Sequence, residues 1–122
     1  MRKIMIVDDS QTIRKLISFI LKQKNFLTVE AEDGLDAIEK LSTTPVDLII
    51  VDLNMPNMDG IEFVRTLRNN YYHMDVPIIM LTTTKDEDLR KDALHAGVNL
   101  FLNKPINPDV LIYKVEGLIK GV

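Results

Sequence analysis

Ionisable and hydroxyl side chains in this chain stand where aliphatic runs end. Ile4 to Val7 leads into Asp8 and Asp9, and Leu48 to Val51 into Asp52. Ile78 to Leu81 leads into Thr82, and Leu100 to Leu102 into Asn103 and Lys104. If these runs are neighbouring parallel strands, their carboxyl ends share one sheet edge and the polar residues meet in one pocket. Three carboxylates, a hydroxyl and an ammonium so placed can bind a divalent cation and accept a phosphoryl group on a carboxylate.

Each residue also has a plain structural reading. Asp8 and Asp9 precede Ser10 and a helix, where they can act as caps and as charges favourable to the helix dipole. Thr82 to Thr84 can be a strand end and a turn, and Lys104 before Pro105 a surface lysine. Asp52 resists such treatment, because it ends a wholly apolar run and lies at no helix start. A carboxylate there is costly to hold without water, a cation or a partner. Two carboxylates about 5 Å apart repel by roughly 3 kcal/mol at an effective dielectric of about 20. Lys104 supplies one compensating charge and a divalent ion two more. Hard oxygen donors, with positions left for water and phosphate, suit magnesium. His73 and His95 read as solvated and the chain has no cysteine, so zinc does not fit. The joint occurrence at four strand ends favours the pocket over the separate structural readings.

The elements that must position these residues follow from periodicity. Strand one is expected at about Lys3 to Val7. Helix one carries Ile13, Leu16, Ile17, Ile20 and Leu21 as one apolar stripe, and Asn25 can stop it in the left-handed conformation. Leu27 to Ala31 is a weaker strand. Helix two carries Ile38 and Leu41 and fades at Ser42-Thr43-Thr44-Pro45. Leu48 to Val51 shows no alternation, as a strand covered on both faces should. After a turn-rich loop from Asn54 to Gly60, Ile61, Val64 and Leu67 mark helix three. Pro77 precedes the fourth strand, Ile78 to Leu81. Helix four runs roughly from Asp86 to Ala96 and is stopped by Gly97. Leu100 to Leu102 is the fifth strand. Helix five starts near Pro108, with Leu111, Val115 and Leu118 on one face. Five strands alternating with five helices predict an α/β, doubly wound parallel sheet. In such sheets the ligand sits outside the carboxyl ends of the strands, where the winding direction switches.

Composition confines the alternatives. A chain of 122 residues suits a single domain spanning 1–122 and buries roughly two-thirds of its unfolded surface. A hydrophobic share of 46% and a charged share of 27% are those of a soluble globular protein. The net charge of −3 speaks against direct nucleic-acid binding. No stretch approaches the ~20 apolar residues of a membrane span. The first ten residues read as strand and polar loop rather than signal peptide. The expected setting is the cytoplasm.

Taken in order, Ile4-Met5-Ile6-Val7-Asp8-Asp9-Ser10, Val51-Asp52-Leu53-Asn54-Met55-Pro56-Asn57-Met58-Asp59-Gly60, Leu81-Thr82, Gly97 and Lys104-Pro105 resemble the receiver domain of two-component response regulators. The similarity covers essentially the whole chain. It implies a flavodoxin-like, CheY-like three-layer sandwich of strand order 2-1-3-4-5. It also implies that Asp52 accepts a phosphoryl group from a kinase phosphohistidine or a small phosphodonor. Asp8, Asp9, Asp52 and the backbone carbonyl of Asn54 correspond to the magnesium ligands, with manganese able to substitute. Thr82 corresponds to the switch hydroxyl, Lys104 to the lysine that pairs with phosphoryl oxygens, and Phe101 to the switch aromatic. Asn54 and Thr84 hold positions that tune dephosphorylation, and Pro105 the position of a proline whose preceding bond is often cis. The implied partners are a histidine kinase or phosphotransfer protein and an output protein or detached output domain, with the chain a monomer or a weak dimer through helix four, strand five and helix five. Such a domain catalyses only its own phosphorylation and dephosphorylation and is no conventional enzyme.

The chain departs from common family patterns in places. Ile106 stands where Phe is frequent, and Phe101 lacks the hydroxyl of the usual Tyr. Glu87 and Arg90 do not resemble the flagellar-motor-binding surface of the chemotaxis regulator. Asn99 and Leu100 replace the acidic pair of winged-helix regulators. Among other functions, an aspartyl-phosphate phosphohydrolase of the haloacid-dehalogenase type wants a second Asp where Asn54 stands. A flavin site wants a Ser/Thr/Gly-rich loop where Asp8-Asp9 stand, and no P-loop occurs. A receiver that works without phosphorylation would not need the intact acidic set. The sequence leaves open both a stand-alone receiver and a piece of a longer regulator.

Overall fold

A computed structural model describes residues 1–70 and 72–120, the side chain of Lys120 excepted; the expected domain bounds of 1–122 reach beyond them. The chain alternates strand and helix throughout: β1 Lys3–Val7, α1 Gln11–Gln23, β2 Leu27–Ala31, α2 Gly34–Leu41, β3 Leu48–Asp52, α3 Gly60–Arg68, β4 Ile78–Thr82, α4 Glu87–Ala96, β5 Leu100–Asn103 and α5 Pro108–Lys120. All four strand pairings are parallel, in the order β2-β1-β3-β4-β5. The chain winds outward from β1 to β2, then returns to the other side of β1 for β3, β4 and β5. The reversal therefore falls between β1 and β3.

Strand alternation divides the core in two. Ile4, Ile6, Ile50, Ile79, Leu81 and Leu102 face α1 and α5. Met5, Val7, Ile49, Val51, Ile78 and Met80 face α2, α3 and α4. Every residue of β3 and β4 is buried, which is why those strands read as unbroken apolar runs. Two details differ from the sequence reading. Leu16 lies at the edge of the α1 stripe and is exposed, while Ile17, Ile20 and Leu21 carry the packing. On α5, Leu111 and Val115 are buried as expected, joined by Ile119, whereas Leu118 is half-buried.

Each helix begins on a polar side chain that accepts an otherwise orphaned N–H. Ser10, Asp33, Asp59 and Asp86 do this for α1 to α4. At α5, Asn107 Oδ1 accepts from Asp109 at 3.0 Å and Val110 at 3.2 Å. Two predicted stops are realised, with φ of 66° at Asn25 and 120° at Gly97. The Lys104–Pro105 bond is cis.

Gly60 opens α3 hard against the end of β3. A Cβ there would lie 2.5 Å from the carbonyl oxygen of Asp52 and 2.9 Å from Leu53 Cα. Both obstacles are backbone, so neither can swing aside. Gly117 is the contrast, an exposed α5 position with nothing within 4 Å of such a Cβ. Gly60→Ala is expected to lower stability by about 2 kcal/mol or more, and Gly117→Ala to raise it by up to about 1 kcal/mol. Urea unfolding of the two variants beside the parent checks both signs.

Candidate functional site

The carboxyl ends of β1, β3, β4 and β5 deliver the polar residues to one edge. Asp8 is the first residue past β1, and its N–H donates to Ala31 O at 3.2 Å, continuing the β1–β2 ladder. Its side chain is fully buried. Asp8 Oδ1 accepts the Ser10 N–H at 2.8 Å. Ser10 itself caps α1, its Oγ accepting the Ile13 N–H at 3.3 Å. The capping role is thus taken by the serine, and the aspartates are released for other work. Asp9 is exposed.

Asp52, 4% exposed, ends β3 between β1 and β4. Carboxylate oxygens of Asp8, Asp9 and Asp52, one from each, lie within 4.8 Å of one another. Lys104, just past β5, places Nζ 3.3 Å from Asp52 Oδ1 and 3.6 Å from Asp8 Oδ2. The second separation is too long for a hydrogen bond, and Asp8 Oδ2 is buried without a hydrogen-bond partner. Asn54, exposed just beyond β3, offers Asp52 Oδ1 only a long N–H contact of 3.4 Å. Thr82 is buried at the end of β4, and its Oγ1 accepts the Thr84 N–H at 2.9 Å. Phe101, half-buried, pairs with Met80 across β4–β5. The predicted site residues therefore lie at or near one sheet edge, with the three aspartates clustered and Lys104 beside Asp8 and Asp52.

Three negative charges against one positive leave the cluster at −2, with two of the anions almost without water. Burial pushes the Asp8 carboxyl above its usual range; the Asp9 charge adds to this, against the Ser10 amide and Lys104. Burial likewise raises Asp52, reinforced by the Asp8 charge and opposed by Lys104. Both carboxyls therefore favour taking up a proton or a cation.

The donors fit magnesium. They are hard oxygens, few in number, and one of them is buried and unsatisfied. An octahedron with bonds of about 2.1 Å spaces its ligand atoms about 3 to 4 Å apart, so the three oxygens need only a small closing movement.

One contributor escaped the sequence reading. Arg14 on α1 donates from Nη1 to Asp8 O at 2.6 Å, and its Nε lies 3.4 Å from Glu30 Oε1 on β2. It ties the turn carrying Asp8 and Asp9 to the neighbouring strand. Its only signal in the sequence is a basic residue one turn into α1 off the apolar stripe, which is indistinguishable from a solvated one.

A family model for the response regulator receiver domain matches residues 4–116. The chain belongs to that family. It is a receiver domain of the two-component type, with the phosphoacceptor function that defines these domains. The phosphate regulon transcriptional regulatory protein PhoB of Escherichia coli (strain K12) is 32% identical over 121 residues, covering 99% of this chain and 53% of PhoB. The chain thus spans about half the length of that relative. Chemotaxis protein CheY1 of Helicobacter pylori is 40% identical, over 93% of this chain and 94% of CheY1. The receiver domain of sensor histidine kinase PA1611 from Pseudomonas aeruginosa PAO1, solved with a magnesium ion in its active-site cleft, superimposes with a TM-score of 0.89 at 27% identity over 98% of both chains.

The raised carboxyls carry a stability cost with a definite sign. A carboxyl whose folded pKa exceeds its unfolded one favours folding while protonated, and that contribution disappears as pH rises through the folded value. At neutral pH without divalent ions, ionised Asp52 therefore opposes folding. Asp52→Asn is expected to be more stable than the parent by about 1 kcal/mol in EDTA at pH 7. The difference should shrink as pH falls into the carboxylate range. Thermal unfolding with and without magnesium checks it, the metal stabilising the parent more than the variant.

Proposed function

We propose that residues 1–122 form one receiver domain in which Asp52 takes a phosphoryl group from the phosphohistidine of a histidine kinase or phosphotransfer protein. The observation that carries this is the nearly buried Asp52 carboxylate, facing two further carboxylates within 4.8 Å and an ammonium at 3.3 Å. In the transfer, an Asp52 carboxylate oxygen forms a bond to phosphorus as the bond from phosphorus to the donor nitrogen breaks. The electron pair leaves on the imidazole. Asp52 is a weak nucleophile that needs no deprotonation once ionised, so the work lies in alignment and charge neutralisation. In this reading Lys104 meets the phosphoryl oxygens, and Thr82 donates its hydroxyl proton to one of them.

Receiver domains bind magnesium at an acidic cluster. Here Asp8, Asp9, Asp52 and the backbone carbonyl of Asn54 would hold it, with manganese as a substitute. When bound, the ion offsets the excess negative charge and orients the phosphoryl oxygens. Hydrolysis of the acyl phosphate limits the signal, and Asn54 and Thr84, which flank the site, tune its rate. The output is a population shift: Thr82 moves to the phosphoryl group, Phe101 turns inward, and the face made by α4, β5 and α5 presents a new surface to a partner protein, an output domain or a second copy. None of the described helices is long and apolar enough to cross a membrane, and the setting proposed for this signalling role is the cytoplasm. The domain acts catalytically only on its own phosphoryl group.

Acetyl phosphate with magnesium should label the protein with one covalent phosphate, and labelling should vanish in Asp52→Asn and in EDTA, as read by mass spectrometry. Full labelling of Asp52→Asn would remove Asp52 from the role. Lys104→Ala is expected to keep its fold and its magnesium binding but to lose most of its response. Intact conformational change in that variant, followed by NMR with beryllofluoride, would contradict the part given to the lysine.

A further inference from the structure

Arg90, on α4, lies outside the acidic pocket yet touches the loop after β4, the end of β5 and the Phe101 ring. Its Nε and Nη2 donate to the carbonyl of Thr84 at 3.2 and 3.0 Å. Nη2 also donates to Asn103 Oδ1 at 3.0 Å. The guanidinium carbon stands 4.8 Å from the centroid of the Phe101 ring, a cation–π distance. The Thr84 residue held in this way gives its own N–H to Thr82 Oγ1 at 2.9 Å. Asn103 is joined directly to Lys104, whose N–H donates to Thr82 O at 3.1 Å. One half-buried side chain therefore grips the loop after β4, the end of β5 and the aromatic ring together.

We infer that Arg90 is a positioning residue that latches the unphosphorylated arrangement of the β4–α4 loop and Phe101. The inference rests on the receiver reading, in which Thr82 approaches the phosphoryl group. That movement draws on the Thr84 amide bonded to the hydroxyl, and so pulls the Thr84 carbonyl against the arginine. An inward turn of Phe101 removes the ring from beneath the guanidinium. Both changes break contacts made by the same planar group, so Arg90 couples them and opposes each until the other occurs. A guanidinium suits this task because its fixed fork serves two acceptors while its face lies on a ring, which a lysine ammonium cannot do. None of these contacts reaches Asp8, Asp9 or Asp52, so the latch acts on the response to a phosphoryl group and leaves the magnesium site alone.

The test compares the parent with Arg90→Ala and Arg90→Lys in two titrations. Magnesium alone, followed by calorimetry, should bind all three equally. Beryllofluoride in the presence of magnesium, followed by 19F NMR, should bind Arg90→Ala about 3- to 10-fold more tightly, because a ligand no longer has to break the latch. Arg90→Lys should lie between, since it keeps the charge but not the fork. Should Arg90→Ala fail to fold, the parent and Arg90→Lys make the same comparison. Equal or weaker beryllofluoride binding by the variants, with magnesium affinity unchanged, overturns the latch while the receiver reading stands. A change in magnesium affinity of similar size also overturns it, by showing a general loosening of the site. No beryllofluoride uptake by the parent overturns the receiver reading, and the latch with it.

Discussion

Negative charge crowded into a dry sheet edge is the constraint on which this molecule turns. Asp8 and Asp52 are buried at the ends of adjacent strands, Asp9 adds a third charge, and Lys104 brings only one positive charge. Burial and mutual repulsion hold both buried carboxyls in a state that gains from any added cation. The fold tolerates this because the rest of the sheet is packed on both faces by continuous aliphatic layers. A site that is unfavourable by itself is ready for a divalent ion and for a phosphoryl group whose charge must be shared. Stability is given up at the place where responsiveness is required.

The scaffold holds the site by short, stiff connections. The turn after β1 is pinned by Ser10, by the Ala31 carbonyl on β2 and by Arg14, which spans from Asp8 to Glu30. The loop after β3 is kept close by Gly60, whose missing side chain lets α3 begin against the Asp52 carbonyl. The loop after β4 is held differently, through Thr84 and the arginine of α4. The acidic side of the site is thus fastened to neighbouring strands and helix starts, while the Thr82 side is fastened by contacts that converge on one arginine. That division matches what the proposed switch asks of each half: to keep its geometry in one case and change it in the other.

Asn99 shows how a departure from family pattern acquires a physical reason. Its side chain accepts the Ile78 N–H at 2.8 Å and an Arg68 N–H at 3.0 Å, while Arg68 also donates to Gly97 O at 2.8 Å. The position that carries an acidic residue in winged-helix regulators is here engaged in closing the α4–β5 turn onto β4. An amide can accept both donors without adding charge beside them.

Strand and helix types, the polar residues at strand ends and the chemistry they permit were all legible in the sequence. Period-two and helical spacings report which residues seek the core, and an aspartate ending an apolar run reports an unusual cost. Local rules also sufficed for Asn25 and Gly97, where the backbone needs a positive φ. What the sequence left undecided was who partners whom. Asp8 and Asp9 read from the sequence as possible caps of α1, yet Ser10 takes that role, because only the turn in space decides which oxygen meets the orphan N–H groups. The sequence could not single out Arg14 or Arg90, since a charged residue beside an apolar stripe looks the same whether it meets water or another segment. Two of their partners, Glu30 on β2 and Asn103 on β5, lie on other elements, and a contact between separate segments is decided by tertiary packing.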